Sequence, residues 1–360
     1  MNRPRQFFAL LALGLTTLGV SWAVSVQPVH CGQDVAVPVP QAVLPEIVTG
    51  RVGFYAAAYR KGIRVSSVAL GDPTAVFPTA SIFKTLVVHA VMRAVDAGKL
   101  RLEQPFTTTA ANRSIEAYPR GTHSLRELIE RAIRDSDNTA SDILHLTVGP
   151  KALAREIKAK SPCTTVLLTT KAWWAAQAGL ASDILGSDLL SGARAYAEQP
   201  FDQRLETAVL LNAAARQVTA PAVEDALDAY FHGPDYTPDL ELWLQNTTTA
   251  AAYTDLIVGV LPALDLRSRT RKLFRTIMRE GCCIPKDMPI RAVYRAAKAG
   301  SGWRILTLTG YLELPDGLTL AYTYLNDCSD TLDAEEMEQQ IRPINAWIDQ
   351  VLLELIERSK

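Results

Sequence analysis

Strand signals stand at both ends of the chain's central part and helix signals fill the stretch between them. Residues 53–59 and 63–70 read as two strands joined by a tight turn at Arg60-Lys61-Gly62. Residues 293–298, 304–314 and 318–325 alternate or run apolar, with Pro315-Asp316-Gly317 turning between the last two. A chain patterned this way does not repeat strand–helix–strand units. It predicts an α+β fold: one antiparallel sheet built from both chain ends, plus a mostly helical region.

The helices between are marked by spacing and by caps. From Ser81, apolar residues recur every three or four positions through Phe83, Leu86, Val87, Ala90, Val91, Ala94 and Val95 until Gly98 stops the run. Ser124-Leu125-Arg126-Glu127 is a capping box that opens a second helix reaching about Arg134, and Gly149-Pro150 opens a third. Residues 172–245 are rich in Ala and Leu and read as helices throughout, for example over 204–216 and 221–231. One terminal helix is expected over 334–356. With 48% hydrophobic and 21% charged residues in 360, the chain has ample material for a packed core, so intrinsic disorder is excluded.

Ahead of the first strand lies a different kind of sequence. Arg3 and Arg5 precede an apolar run from Phe7 to Val20, and Ser21-Trp22-Ala23 puts small residues where a signal peptidase reads. Residues 1–23 are therefore read as a signal peptide, or as an uncleaved signal anchor, and residues 24–49, with Pro38, Pro40 and Pro45, as an extended linker. Export to a periplasmic or extracellular location follows from either reading. Cys31 follows Val29-His30 and lacks the small residues of a lipidated cysteine. Cys163, Cys282, Cys283 and Cys328 can oxidise outside the cytoplasm, with pairing left open.

Charge and ligand spacing remove several function classes. Lys plus Arg total 37 against 38 Asp plus Glu, a formal charge of -1, so no excess positive charge draws nucleic acid or anionic lipid. No C-x-x-C pair or H-E-x-x-H segment offers metal-ligand spacing. His30, His89, His123, His145 and His232 are scattered and read as local contacts. The basic run of Arg267, Arg269, Arg271, Lys272, Arg275 and Arg279 reads as a solvated helix face, and Trp173-Trp174 as core packing.

Chemistry gathers at three places. Ser81-Ile82-Phe83-Lys84 puts a hydroxyl and an amine one turn apart at a helix start, the arrangement a serine nucleophile with a lysine base requires. A capped helix with a surface lysine gives the same pattern, yet Lys84 falls on the apolar stripe, where a solvated lysine fits poorly. Ser136-Asp137-Asn138 offers a second hydroxyl and an amide, or simply a polar turn between helices. Lys298-Ala299-Gly300-Ser301-Gly302 follows a strand, where a lysine leads into glycines that let backbone approach a ligand.

Taken in order, these segments match the Ser-x-x-Lys, Ser-Asp-Asn and Lys-x-Gly motifs of the penicillin-recognising serine enzymes. The chain resembles a class A β-lactamase from about Gly50 to its C-terminus. Residues 76–84 are similar to that family's nucleophile segment, Leu125-Arg126-Glu127-Leu128 leading to Ser136–Ser141 to its second motif, and Asn246-Thr247-Thr248-Thr249 to the end of its omega loop. The resemblance implies a β-lactamase/transpeptidase-like domain over 50–360 with a helical insertion at about 172–245. It further implies that Ser81 is acylated, Lys84 is its base, Ser136 relays the proton and Lys298 holds the substrate carboxylate while keeping Ser136 active. Asn138 would hold the substrate amide, and Gly300 and Ser301 would border the oxyanion hole formed by the N–H groups of Ser81 and Ser301.

Two departures shape the expected activity. The third motif carries Ala299 where the family has a hydroxyl, and no Glu-x-x-Leu-Asn sequence precedes Thr247, so the base that activates the deacylating water is missing. Asp235, Asp239 and Glu241 are the nearest upstream carboxylates. The expectation is an exported serine acyl-hydrolase with slow deacylation, acting on a small-molecule β-lactam or a cell-wall peptide-like substrate. A D-alanyl peptidase-like enzyme or a non-turnover penicillin-binding sensor or wall-associated module is the competing reading. No cofactor, metal or nucleic acid is expected, membrane contact only through an uncleaved anchor, and a monomeric chain.

Overall fold

The computed structural model describes residues 30–32, 37–116, 120–281 and 289–360. The signal-peptide reading and the adjacent Cys282 and Cys283 lie outside them. Among the described residues no helix is long and apolar enough to cross a membrane.

The sheet has five strands: β1 (Arg51–Arg60), β2 (Ile63–Gly71), β3 (Tyr294–Gly302), β4 (Ile305–Glu313) and β5 (Leu318–Asp327). Their spatial order is β2-β1-β5-β4-β3, every pair antiparallel, so both chain ends do build one sheet. The β1–β2 hairpin turns through Lys61 and Gly62, whose φ values of 51° and 78° suit the twist of a tight hairpin. Strand β1 is buried almost end to end because both of its faces are covered. Its period of two divides the residues cleanly: Tyr55, Ala57 and Tyr59 join the larger core, while Phe54, Ala56 and Ala58 join a second one on the opposite face.

The larger core lies under the helices α1 (Lys84–Asp96), α2 (Leu125–Arg134), α3 (Asn138–Val148) and α4 (Pro150–Lys160). From Thr170 to Leu244 the chain runs through α5 (Thr170–Gln177), α6 (Ser182–Leu185), α7 (Leu189–Glu198), α8 (Phe201–Ala215), α9 (Ala220–Phe231) and α10 (Pro238–Leu244). It returns to the sheet through α11 (Ala250–Val260), which packs on β1 and β5, and α12 (Ser268–Arg279). The second core is covered by α13 (Ala334–Gln339) and α14 (Ile341–Glu357), where the Trp347 ring meets Phe54 edge-on at 4.7 Å. The segment read as a linker docks on that same helix: the N–H groups of Gln41 and Ala42 donate to Glu354, and Trp347 Nε1 donates to the Ala42 carbonyl.

Several elements differ from the sequence reading, each for a local reason. The helix expected from Ser81 starts as a 3-10 turn over Ala80–Phe83 and becomes α-helical only at Lys84. Helix α3 was hidden because Asn138, Thr139, Ser141 and Asp142 are all buried, leaving no amphipathic stripe to read. Lys298 is not at a strand end, since β3 continues through Gly302, pairing Lys298 with Thr309 and Gly300 with Thr307. The terminal helix breaks at Gln340, where Pro343 in the next turn has no N–H to continue the ladder. The basic run on α12 is only partly a solvated face: Arg271 donates to the carbonyls of Ala263, Leu264 and Leu266, and Arg275 pairs with Glu313 over the Tyr294 ring.

A disulfide joins Cys31 to Cys163, residues the sequence reading had not paired. Cys328 carries a free thiol whose pKa is pushed up to about 12 by burial and the neighbouring Asp327 charge. Such a thiol is a poor nucleophile at neutral pH.

Candidate active site

Ser81 is positioned by its neighbours' backbone. Ahead of it, Phe77–Pro78 pairs with Thr247–Thr248. The Thr79 N–H donates to the Asn246 carbonyl at 2.8 Å, and the Thr79 carbonyl accepts from Thr307 Oγ1 at 3.0 Å. Beyond it, the Ile82 carbonyl accepts from the Tyr253 hydroxyl at 2.7 Å. Between these anchors Ala80 is held at φ 41°, a left-handed conformation that costs a residue with a side chain about 1 kcal/mol. The segment around Ser81 is thus fixed by tertiary bonds.

Strand β3 lies against this segment because of one glycine. A Cβ on Gly300 would stand 2.2 Å from the Ser81 nitrogen and 2.8 Å from Thr307 Oγ1. Only a residue without a side chain permits the approach. It brings the edge of β3 carrying Ser301 beside Ser81.

The two lysines converge on Ser136. This residue turns the chain from α2 into α3 at φ 54°, and Asp137 caps α3 by accepting from the Ala140 N–H at 2.9 Å. Lys84 is fully buried; its Nζ donates to the Ser136 carbonyl, to Ser136 Oγ at 3.3 Å and to Asn138 Oδ1 at 2.7 Å. Lys298, 1% exposed, donates to Ser136 Oγ at 2.9 Å and to the Ala299 carbonyl at 2.6 Å. Among the described residues Ser81 Oγ makes no hydrogen bond, so the expected Ser81–Lys84 contact is not closed here. The three acceptors around Lys84 match the three N–H groups of an ammonium.

Burial and the nearby Lys298 charge lower the pKa of Lys84 to about 7, against the opposing pull of Asp142, Glu116 and Asp137. Near neutral pH this amine is poised between its two forms. Asp142 had no place in the motif reading. Its carboxylate accepts from the N–H groups of Thr170 and Lys171 at 2.7 and 2.9 Å, holding the start of α5 against α3. Its spacing of four from Asn138 on one helix was the available signal.

Ser81, Ser136, Asn138 and Ser301 all line one cavity of about 1170 Å³, with Gly300 against Ser81 and the two lysine amines bonded to Ser136. Trp173, Trp174, Leu227, Phe231 and Trp303 supply apolar wall, so the tryptophan pair read as core packing also faces this space. Phe231 stacks on Trp303 at 4.7 Å, which docks α9 over the β3–β4 turn. Asn246 holds the other side by accepting from the N–H groups of Leu167 and Leu168 at 2.8 and 3.1 Å. A bridge between Thr165 and Thr247 closes the base of the long α5–α10 excursion.

Of the acids suspected upstream of Asn246, Asp235, Asp239 and Glu241 are all absent from the cavity lining, while Gln245 is part of it. Glu241 is 1% exposed, and burial pushes its carboxyl well above the usual range. The carboxylates that do line the cavity include Glu116, whose Oε2 accepts from Asn138 Nδ2 at 3.2 Å, and Glu338, whose Oε1 accepts from Ser301 Oγ at 2.7 Å. Neither carried a sequence signal, because each meets its partner only through the tertiary fold.

Residues 45–197 match the model of a family described as the beta-lactamase enzyme family. The matched stretch includes the Ser81–Lys84 and Ser136–Asn138 segments, and Lys298 lies beyond it. No curated protein matches the chain. Among solved structures, the chain is similar to a PBP-A mutant in an acyl-enzyme complex with penicillin G, at 17% identity and a TM-score of 0.55 over 85% of this chain and 90% of that one. A beta-lactamase from Xanthomonas campestris pv. campestris aligns at 20% identity and a TM-score of 0.53, covering 85% and 93%. One from Chitinophaga pinensis aligns at 19% and 0.54, again over 85% and 93%. The fold is therefore β-lactamase/transpeptidase-like, and the resemblance read from the three motifs is to a β-lactamase-like serine hydrolase family.

Proposed function

We propose that the protein is an exported serine acyl-hydrolase that is acylated on Ser81 by β-lactams or a related amide or ester and deacylates slowly. The observation that carries the reading is the convergence of Lys84 and Lys298 on Ser136 Oγ, beside the cavity that holds Ser81. In its neutral form Lys84 takes the Ser81 proton as Oγ attacks the acyl carbon. Ser136 receives that proton and gives its own to the departing nitrogen or oxygen, so the old acyl bond breaks as the new ester forms. Lys298 holds Ser136 in place for this transfer, and Asn138 both orients Lys84 and offers an amide to the substrate. The N–H groups of Ser81 and Ser301 receive the developing oxyanion, a contribution typically worth about 3 to 4 kcal/mol of barrier. The acyl-enzyme complex of PBP-A with penicillin G, on a similar fold, supports the covalent step.

Slow turnover is inferred from the position beside Asn246 rather than from the whole cavity wall, which carries carboxylates such as Glu116 elsewhere. Water attacks a serine ester slowly without a base within hydrogen-bond reach, and loss of one such proton transfer costs on the order of 100 to 10,000-fold. Beside Asn246, where a deacylating base is expected, the cavity wall carries Gln245, an amide that takes no proton. The same fact favours a non-turnover penicillin-binding module as second reading. Incubation with labelled penicillin, following adduct and hydrolysed product together, tests both. One equivalent of Ser81 adduct with slow product release, abolished in a folded Ser81→Ala variant, is the expected result. Labelling that persists in that variant overturns the assignment, and sustained rapid hydrolysis overturns slow deacylation.

A further inference from the structure

Resting on the acyl-transfer reading, we propose that Glu338 is a specificity-determining residue that selects acyl donors neutral or cationic on the side facing β3 and rejects those carrying a carboxylate there. Ser301 occupies the edge of β3 beside Gly300, the residue in closest approach to Ser81. Its hydroxyl is the side-chain donor next along that edge, since the side chain of Ala299 lies in the second core and donates nothing. That hydroxyl is committed to a protein carboxylate, Glu338 Oε1, at 2.7 Å. An arriving substrate carboxylate meets a negative charge where it needs a donor.

The position of Glu338 has no helical explanation. Asp333 caps α13 by accepting from the Glu336 N–H, and Glu335 and Glu336 fall in its first turn, where acidic side chains favour the helix. Glu338 falls in the last turn, where its charge opposes the helix dipole. Its hydrogen bond to Ser301 is the contact that places it at the cavity. The surrounding field has the same sign: Asp333, Glu335 and Glu336 line the cavity beside it, and Asp228 and Glu116 join them. Among the described residues no lysine or arginine is part of the lining. The amines that answer this field, Lys84 and Lys298, are buried and bonded to Ser136, and burial and the nearby Lys298 disfavour the charged form of Lys84. The Trp174, Phe231 and Trp303 rings supply walls that suit an apolar or cationic group.

The step itself is acyl transfer to Ser81 Oγ with release of an amine or alcohol, and no further reactant enters. The test compares acylation rate constants of the full-length chain for benzylpenicillin, which carries the carboxylate, and its methyl ester, which does not. Glu338→Gln keeps the exposed side chain's shape and removes its charge. We expect this variant to speed the acid by on the order of 10-fold and to leave the ester within about twofold. Higher ionic strength narrows the acid–ester gap in the wild type and less so in the variant. Ser301→Ala removes the contact that holds Glu338 at the cavity, so it should move the acid-to-ester ratio in the same direction as Glu338→Gln, by a smaller factor. An acid-to-ester ratio unmoved by Glu338→Gln assigns Glu338 a structural role and overturns the proposal. Acylation of Ser81 by neither probe overturns the acyl-transfer reading and this inference with it.

Discussion

A single amine carries most of the chemistry proposed for this site. Lys84 must lose its proton to act as a base, and with a pKa lowered to about 7 the rate of Ser81 acylation should climb through a midpoint near that pH. Lys298 contributes to the lowering as a like charge, so Lys298→Ala removes a term that disfavours the ammonium. The pKa of Lys84 then rises, and the ascending limb should move to higher pH, alongside slower acylation overall. Rates of adduct formation followed by mass spectrometry across pH check both statements. A limb that stays where it was shows that Lys298 does not tune the base. At this scale the sequence was legible where chemistry is written in local spacing. Ser81 and Lys84 lie one turn apart, and Ser136 and Asn138 share one turn. Glu116 and Glu338 were not legible, because their partners stand on other elements and no short-range pattern marks the meeting, and Asp142 left only its spacing of four from Asn138.

The element that brings these residues into register is β3. Its Gly300 permits strand and Ser81 turn to touch, and the atom a new Cβ would strike at 2.2 Å is backbone, which cannot rotate away. Gly300→Ala should therefore push β3 off the 3-10 turn, lowering stability by about 1 to 3 kcal/mol. Acylation should fall by at least about 100-fold as the oxyanion site opens. Urea denaturation and adduct kinetics measure the two effects, and a variant with native acylation shows that the contact is dispensable. Element boundaries were harder to read than element existence. The capping box at Ser124 was visible because its reciprocal bonds are local, whereas the 3-10 turn at Ala80 is imposed by Thr307, Asn246 and Tyr253 from far along the chain.

For the whole molecule, the disulfide from Cys31 to Cys163 spans a sequence separation of 132. It ties the segment bridged to Ala75, just ahead of the Ser81 turn, to the base of the α5–α10 excursion at Thr165. Closing so long a loop restricts the unfolded chain and is typically worth about 2 to 4 kcal/mol. Cys163→Ser, or reduction of the wild type, should lower the thermal midpoint by several degrees. Calorimetry with and without reductant checks it; equal midpoints show the bond adds nothing. A persistent disulfide also belongs to an oxidising compartment, which supports the export reading. The α+β architecture was legible because strand signals cluster at the two ends. The Cys31 pairing was not, since sequence offered several partners and no geometry to choose among them.

The order β2-β1-β5-β4-β3 also governs when the molecule becomes complete. As the chain is made, β1 and β2 pair early, but the other edge of β1 has no partner until Leu318–Asp327 emerges near the end of synthesis. Until then an exposed edge, flanked by Phe54 and Tyr55, invites pairing with another nascent chain. Ser81 waits as long for Lys298. A polypeptide cut short anywhere before its last strand should thus leave that edge of β1 unpaired and prone to aggregate, and late, long-range strand pairing of this kind should slow assembly.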